Sequence, residues 1–321
     1  MDKIAKIESN FKGKDILSLD QFDIPSIMKL FSYVPQMAQI TKASASSDIL
    51  KGHIVTLIFY EPSSRTFGSF SSAIKQLGGQ TVEILSPQNF SSVAKGETLE
   101  DTMRTFQNYS QAIVLRHPEV GAAVKAAEAA DVPILNAGDG IGEHPTQALL
   151  DLYTIYEHHK KLENLTGVFA GDMLNGRTVH SILRGLSMFG GNTVYLLSPK
   201  NLLLSREEYE MYTKKRLKIV EIESEEDIPQ DADFWYWTRV QKERFSSLEE
   251  YETVKHRYIL TPELIKQKAA DQTIFMHPLP RVGEIDLAVD SDPRAIYFTK
   301  EIPNGKYVRM ALMGLVLGKL V

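Results

Sequence analysis

The stretch FYEPSSRTFGSF, residues 59–70, crowds hydroxyl side chains and one arginine directly after an apolar run. Pro62 breaks that run, and a periodic pattern typical of a helix starts at Ser63 or Ser64. A helix N-terminus offers unpaired backbone N–H groups and partial positive charge, so nearby hydroxyls and Arg65 would complete a phosphate site there. An ordinary serine cap with a surface arginine explains this stretch equally well when it is taken alone.

Further hydrogen-bond donors follow two other strand-like runs in the same half of the chain. Arg116 comes just past QAIVL, and His144 and Gln147 come after VPILN. Taken singly, each is more often structural, and His144 would only start a helix because Pro145 follows it. Ligands of open α/β folds bind beyond the carboxyl ends of the parallel strands. Three donors at equivalent strand ends therefore favour a binding site.

The second half repeats this arrangement with arginines. GDMLNGRTVHS places Arg177 after a strand-like run, and FWYWTRVQKERF places Arg239 and Gln241 after another. One arginine at a strand end usually makes a surface ion pair, whereas two on one rim indicate a ligand that carries carboxylates. The segment MHPLPRVGEID adds a proline-rich turn, in which we expect rigid and exposed backbone carbonyl groups.

A polar loop, SPQNFSSVAKGETLEDT, carries Ser91 and Lys95, for which a solvated surface position is the usual explanation. The strand ends and this loop together predict five cations near one crevice of an acidic protein: Arg65, Lys95, Arg116, Arg177 and Arg239. The ligands expected in such a crevice are strongly anionic.

The order of the predicted elements indicates how these side chains are positioned. From about residue 50, short β-rich runs alternate with helical patterns, which predicts βαβ units around parallel sheets. The segment 144–160 reads as a long helix between two such series. The predicted fold is α/β, with two doubly wound parallel-sheet domains joined by this helix and a C-terminal helix packing back on the first domain. The expected boundaries are 1–143 with 304–321 for the first domain and 144–303 for the second.

Composition limits the class of protein. The 321 residues are 43% hydrophobic and 24% charged, as in soluble globular chains. A net charge of -5 gives no basic field for nucleic acid or anionic lipid, and no run is long enough to span a membrane. The absence of cysteine excludes disulfides, thiolate metal ligands and a cysteine nucleophile. Without an H-E-x-x-H motif, a Walker loop or a signal-peptide core, we expect a cytoplasmic protein with no metal and no cofactor.

These segments, in this order, resemble the aspartate carbamoyltransferase family, specifically its catalytic chain, within the aspartate and ornithine carbamoyltransferases. The matching segments cover most of the chain: FYEPSSRT with SFSSAIKQLGG, SSVAKGETLEDT, LRHPEVGAA, NAGDGIGEHPTQALLDLYTI, GDMLNGRTVHSIL, TRVQKERF and HPLPRVGEID. HPTQ and HPLP favour aspartate over ornithine as the acceptor, because ornithine enzymes typically carry cysteine in both motifs.

The resemblance implies transfer of the carbamoyl group of carbamoyl phosphate to L-aspartate, giving N-carbamoyl-L-aspartate and phosphate on the route to pyrimidines. It implies that 1–143 binds carbamoyl phosphate and that 144–303 binds aspartate. The residues implied for the phosphate are Ser63, Ser64, Arg65, Thr66 and Arg116. The residues implied for the oxygen of the carbamoyl group are Arg116 and His144. Its NH2 group would be held by Gln147 and by the main chain of Leu279, which follows Pro278. Those implied for the aspartate carboxylates are Arg177, Arg239 and Gln241.

In the family's catalytic trimers, the residues matching Ser91 and Lys95 reach into the neighbouring active site, so a homotrimer with shared sites is implied. A regulatory chain that gives a larger assembly stays open. The family pattern usually has threonine at Ser64 and arginine at Phe67, which leaves the packing of this turn and its phosphate affinity open. The alternatives are a carbamoyltransferase for another amino acid and a non-catalytic paralogue acting as a scaffold or regulatory partner, which Phe67 alone favours.

Overall fold

The chain forms two units in the computed structural model, which describes residues 5–43, 47–240 and 257–320. The first unit comprises Met1–Leu150 together with Asn304–Val321, and the second comprises Asp151–Pro303. Each unit is built around its own parallel sheet, as predicted for an α/β chain with two series of alternating strands and helices.

Four parallel strands form the sheet of the first unit: β1 (Ile54–Phe59), β2 (Gln80–Leu85), β3 (Ala112–His117) and β4 (Ile134–Asp139). Their order is β2-β1-β3-β4. Strands β1, β3 and β4 are almost wholly buried, as expected of continuous apolar runs, whereas the edge strand β2 is partly exposed. The strand order reverses between β1 and β3, so the carboxyl ends of these two strands flank the crevice where such sheets bind ligands.

Helices follow each strand of this sheet: α2 (Ser64–Gln76), α3 (Pro87–Phe90), α4 (Leu99–Phe106), α5 (Ala122–Ala129) and α6 (Pro145–His159), with α1 (Ile24–Lys42) before the first strand. Asp23 and Thr98 cap the starts of α1 and α4, because their side chains accept hydrogen bonds from backbone N–H groups of the first turn. In the described part of the chain, no helix is long and apolar enough to cross a membrane.

Five parallel strands form the sheet of the second unit: β5 (Thr166–Ala170), β6 (Thr193–Leu197), β7 (Lys218–Ile222), β8 (Phe234–Trp237) and β9 (Ile274–Met276). Their order is β7-β6-β5-β8-β9, which reverses between β5 and β8. The described helices of this unit are α7 (Arg177–Leu186), α8 (Arg206–Lys214) and α9 (Pro262–Lys268). Its core contains buried aromatic rings from β8 and β9, among them Trp235 and Phe275.

A last helix, α10 (Ile302–Val316), follows a π-helical turn at Tyr297–Glu301. It packs on the first unit, as predicted, with the Nη1 of Arg309 donating a hydrogen bond to Ser69 Oγ at 2.8 Å. The Nη2 of Arg309 also donates to Thr146 Oγ1, at 3.3 Å, in the first turn of α6. Thr146 belongs to the first unit, which extends to Leu150, inside α6. The expected domain boundary at residue 143 stays a prediction.

Candidate active site

Helix α2 starts at the predicted cluster of hydroxyls. Ser63 is its N-cap residue, yet the Ser63 side chain makes no capping hydrogen bond, unlike the cap side chains of α1, α4 and α8. Ser63 is half-buried, Ser64 and Arg65 are exposed, and Thr66 is buried. The ordinary-cap explanation therefore fails for the Ser63 side chain, which lies at the positive end of the helix. Its expected role in binding an anion stays a prediction.

Arg116 lies at the carboxyl end of β3, paired in the sheet register with Phe59 at the end of β1. Its guanidinium is buried: Nη1 donates to the carbonyl oxygen of Ala137 at 3.1 Å, and Nη2 lies 2.6 Å from Oε2 of Glu61. Its Nε is buried and has no hydrogen-bond partner among the described residues. Burial lowers the pKa of Arg116, and the Glu61 carboxylate opposes this shift. The first switch point thus carries a desolvated cation.

The loop between β4 and α6 is shaped by Asp139, whose role is not evident from the sequence. Its buried carboxylate accepts a hydrogen bond from the backbone N–H of Glu143 at 2.7 Å and another from Gly121 at 2.8 Å. Gly140 has a φ of +55°, and a Cβ there would lie 2.4 Å from the carbonyl oxygen of Pro118. Only glycine fits this turn without a backbone shift, so the path of the chain into α6 is fixed.

His144 and Gln147 lie at the start of α6, which follows β4, the neighbour of β3 in the sheet. The backbone carbonyl of His144 accepts a hydrogen bond from the Gln147 N–H at 2.9 Å, so His144 does start the helix, as Pro145 indicates. Its imidazole is nevertheless buried, with Nδ1 3.4 Å from Thr146 Oγ1. A histidine that only starts a helix does not need a buried ring.

Ser91 and Lys95 lie after α3. The Ser91 hydroxyl donates to the carbonyl oxygen of Pro87 at 2.8 Å and accepts from the Val93 N–H at 3.2 Å, a local capping role that was not predicted. Lys95 is exposed and forms no ion pair with any described residue. The expected role of both residues in a neighbouring subunit stays a prediction.

Arg177 and Arg239 follow the two strands that flank the second switch point, β5 and β8. Gly171 allows the two loops to approach, since it has a φ of +118° and a Cβ there would lie 2.3 Å from the Thr238 carbonyl oxygen. Both arginines are half-buried, a placement that suits guanidinium groups binding carboxylates. Gln241, predicted beside them, lies outside the described residues.

The turn that carries Pro278 and Leu279 follows β9. Leu279 has a φ of +55°, in the left-handed region that a leucine rarely adopts. Its N–H donates to Nδ1 of His277 at 2.8 Å, and the other ring nitrogen of His277 lies 2.7 Å from Glu284 Oε1. Burial raises the pKa of Glu284, but the hydrogen bonds from His277 and from backbone N–H groups outweigh it, so the pKa lies below its ordinary value.

Residues that hold the predicted ones in place but were not predicted from the sequence include Glu61, Asp139, Glu284 and Arg309. The first three are acids inside motifs that were already quoted, so a carboxylate next to a predicted site residue was the available signal. No local signal marks Arg309, because its partners Ser69 and Thr146 lie far away in the sequence.

Both switch points therefore carry groups suited to anions. In the first unit, these groups are a buried arginine and a helix start whose cap side chain is unused. In the second, they are two arginines on adjacent loops. Across the described ranges, no group of three or more metal-ligating side chains could hold an ion. The expectation that all five cations face one crevice involves both units and stays a prediction.

Two domain models match the chain in tandem and define a two-domain carbamoyltransferase. The carbamoyl-P binding domain of aspartate/ornithine carbamoyltransferase matches residues 14–157. The Asp/Orn binding domain of the same enzymes matches residues 163–316. The chain belongs to the aspartate/ornithine carbamoyltransferase family, which confirms the resemblance found in its motifs.

Individual relatives carry the name of the aspartate enzyme. The aspartate carbamoyltransferase catalytic subunit of Methanococcoides burtonii is 44% identical over 97% of this chain and 99% of its own length. The multifunctional protein pyr1-3 of Dictyostelium discoideum is 45% identical over 97% of this chain, which spans only 14% of that protein. A solved structure of Trypanosoma cruzi aspartate transcarbamoylase, in complex with carbamoyl phosphate and aspartate, has a TM-score of 0.88 and 37% identity, covering 98% of this chain and 100% of that chain.

Proposed function

We propose that this chain transfers the carbamoyl group of carbamoyl phosphate to the amine of L-aspartate, giving N-carbamoyl-L-aspartate and phosphate for pyrimidine synthesis. The observation that carries the proposal is Arg116, a buried cation at the first switch point, next to a helix start with an unused cap side chain. The names of the Methanococcoides and Trypanosoma relatives support aspartate as the acceptor.

Charge stabilisation at the carbamoyl oxygen is the central chemical step. The aspartate amine attacks the carbamoyl carbon, the C–N bond forms, and negative charge builds on the oxygen. Arg116 and His144 are the proposed donors to that oxygen, since both are buried and act where water competes least. The proposed phosphate ligands are Ser63, Ser64, Arg65 and Thr66. Holding two anions in attack geometry is the other large contribution to the rate.

The acceptor is held by cations of the second unit. Arg177 and Arg239 are the proposed partners of the two aspartate carboxylates, because the planar fork of a guanidinium matches a carboxylate bidentately. Gln241 is assigned beside them from the resemblance. Gln147 and the main chain of Leu279 are proposed to hold the carbamoyl NH2, a role supported by the fixed left-handed conformation of Leu279.

The departing phosphate takes the proton from the attacking amine. As the C–O bond to phosphate breaks, the released oxygen becomes basic enough to accept that proton, and no side chain is assigned as a dedicated base. A substrate analogue with an altered phosphate group should therefore shift the pH dependence of kcat. An unshifted pH profile with such an analogue would count against this route.

The acceptor assay tests the proposed function. The purified chain is supplied with carbamoyl phosphate and with L-aspartate, L-ornithine or an N-acetylated amino acid in turn, and carbamoylated product is measured. We expect product with aspartate alone. Product with another acceptor would make the chain a carbamoyltransferase for that amino acid. Binding of carbamoyl phosphate without any product would make it a non-catalytic paralogue.

We also propose a homotrimer in which Ser91 and Lys95 of one chain complete the active site of the next, and a cytoplasmic location. The exposure of Lys95, which has no ion pair with a described residue, supports a partner outside its own chain. A regulatory chain stays a prediction, and native mass with and without candidate partners tests it. Cell fractionation tests the location, since some relatives are named chloroplastic.

A further inference from the structure

Two carboxyl groups are buried side by side in the second unit. Asp151 in α6 is 0% exposed and Glu301, at the end of the π-helical turn, is 2% exposed. The hydroxyl of Tyr236 donates to Asp151 Oδ2 at 2.9 Å. Two buried carboxylates cannot both stay charged, and burial together with the Asp151 charge raises the pKa of Glu301 well above its ordinary value. Of the two carboxyl groups, we therefore expect Glu301 to hold the proton and to face the Asp151 carboxylate with it.

The second oxygen of Glu301 has a different partner. Its Oε2 accepts a hydrogen bond from the backbone N–H of His277 at 2.9 Å. His277 is 2% exposed, and its Nδ1 accepts the N–H of Leu279 at 2.8 Å. Because Nδ1 accepts, the ring proton lies on Nε2 and donates to Glu284 at 2.7 Å. Glu301 thus fixes the backbone N–H of His277, and the ring of His277 fixes the N–H of Leu279.

We propose that Glu301 is a positioning residue that acts through His277 to hold the main chain of Leu279 in its left-handed conformation. The inference rests on the proposed function, in which that main chain binds the carbamoyl NH2. A left-handed leucine costs on the order of a kcal/mol and persists only where its surroundings over-determine it. The Glu301 carboxyl supplies one of those constraints from a different segment of the chain, at the start of α10.

Two substitutions of Glu301 separate geometry from charge. Glu301→Gln keeps a donor for Asp151 and an acceptor for the His277 N–H, so we expect kcat/KM for carbamoyl phosphate within about threefold of wild type. Glu301→Asp keeps the carboxyl but shortens its reach, so we expect a loss of at least about tenfold. The inhibition constant of inorganic phosphate should stay unchanged in both, because phosphate is assigned to the first unit.

Ile265→Ala is the matched control, since it truncates a buried side chain of α9 in the same unit. It should lower stability while leaving kcat/KM in place. Hydrogen exchange at the Leu279 amide gives a readout that does not depend on activity: protection should fall in Glu301→Asp and persist in Glu301→Gln.

The inference is overturned if Glu301→Asp retains wild-type kcat/KM and amide protection, or if Glu301→Gln loses as much as Glu301→Asp. An equal kinetic loss in Ile265→Ala would also overturn it, because a general loosening of the unit would then explain the effect. If the wild-type chain makes no carbamoyl aspartate, the proposed function fails, and the exchange measurement alone decides the role of Glu301.

Discussion

Arg116 is held in place by groups of its own unit. Its guanidinium is buried between the Ala137 carbonyl oxygen and the Glu61 carboxylate, and this carboxylate compensates its charge. An arginine keeps its proton even when burial lowers its pKa, so the group stays a cation at any physiological pH. A fixed cation needs little reorganisation when negative charge develops beside it, and that is the condition for strong electrostatic stabilisation.

Arg116→Ala should therefore lower kcat for carbamoyl aspartate formation by roughly a hundredfold to a thousandfold, as removal of one oxyanion donor typically does. The matched control is Arg104→Ala, which removes an exposed arginine of the same unit that pairs with Asp101. Steady-state assays on both variants check this. Equal activity of the two variants would remove Arg116 from the mechanism.

Glu301 links the stability of the protein to pH. Its pKa lies well above 4.5, so the folded chain keeps a proton that the unfolded chain loses. The resulting stabilisation is complete below pH 4.5 and is lost as the pH rises toward the folded pKa. From about pH 5 up to the folded pKa, wild type should lose unfolding free energy relative to Glu301→Gln, by at most about 1.4 kcal/mol per pH unit. Urea denaturation of both proteins measures this, and parallel pH profiles would contradict it.

The first turn of α2 contains Phe67, a residue that is unusual for the family at this position. Phe67, where the family pattern usually has arginine, packs its ring against Phe59 of β1 in an edge-to-face geometry, with centroids 5.5 Å apart. The turn therefore joins helix and strand through an aromatic contact. The chain retains Arg65 and the hydroxyl side chains of this cluster. Phe67 therefore gives little support to the alternative that the chain is a non-catalytic paralogue.

Phe67→Leu should lower the free energy of unfolding by about 1 kcal/mol, because aromatic pairs contribute about 0.5–1.5 kcal/mol beyond the area they bury. Phe67→Tyr keeps the ring and should stay close to wild type. Chemical denaturation of the three proteins measures the difference. If the leucine variant is as stable as wild type, the ring contact does not hold α2 on β1.

Elements were more predictable than the contacts between them. Buried parallel strands must be continuous apolar runs, so the positions of both sheets, and of Arg116 and Arg177 at strand ends, could be predicted. Strand order is not contained in such local patterns, so the two switch points emerge only from the structure. The bond from Arg309 to Ser69 joins residues 240 positions apart, and no periodicity of either segment specifies it.

In the molecule as a whole, anion binding depends on arginines placed at particular sites and not on the net charge. The net charge is -5, so no overall field attracts carbamoyl phosphate or aspartate. Each unit instead places arginine at the point where its own strand order reverses. Two anionic substrates match a chain that has two switch points with arginine, one in each of its two family domains.

The proposed trimer with shared sites makes a quantitative prediction for mixed chains. Lys95→Ala and Arg239→Ala should each be nearly inactive, since each removes a different proposed ligand from every site. In a closed ring of three chains assembled at random from equal amounts, a site is intact only where an intact Lys95 faces an intact Arg239. Dissociating and reassembling the mixture should therefore restore about a quarter of wild-type activity. Native mass confirms the assembly, and a mixture as inactive as its components would place the whole site within one chain.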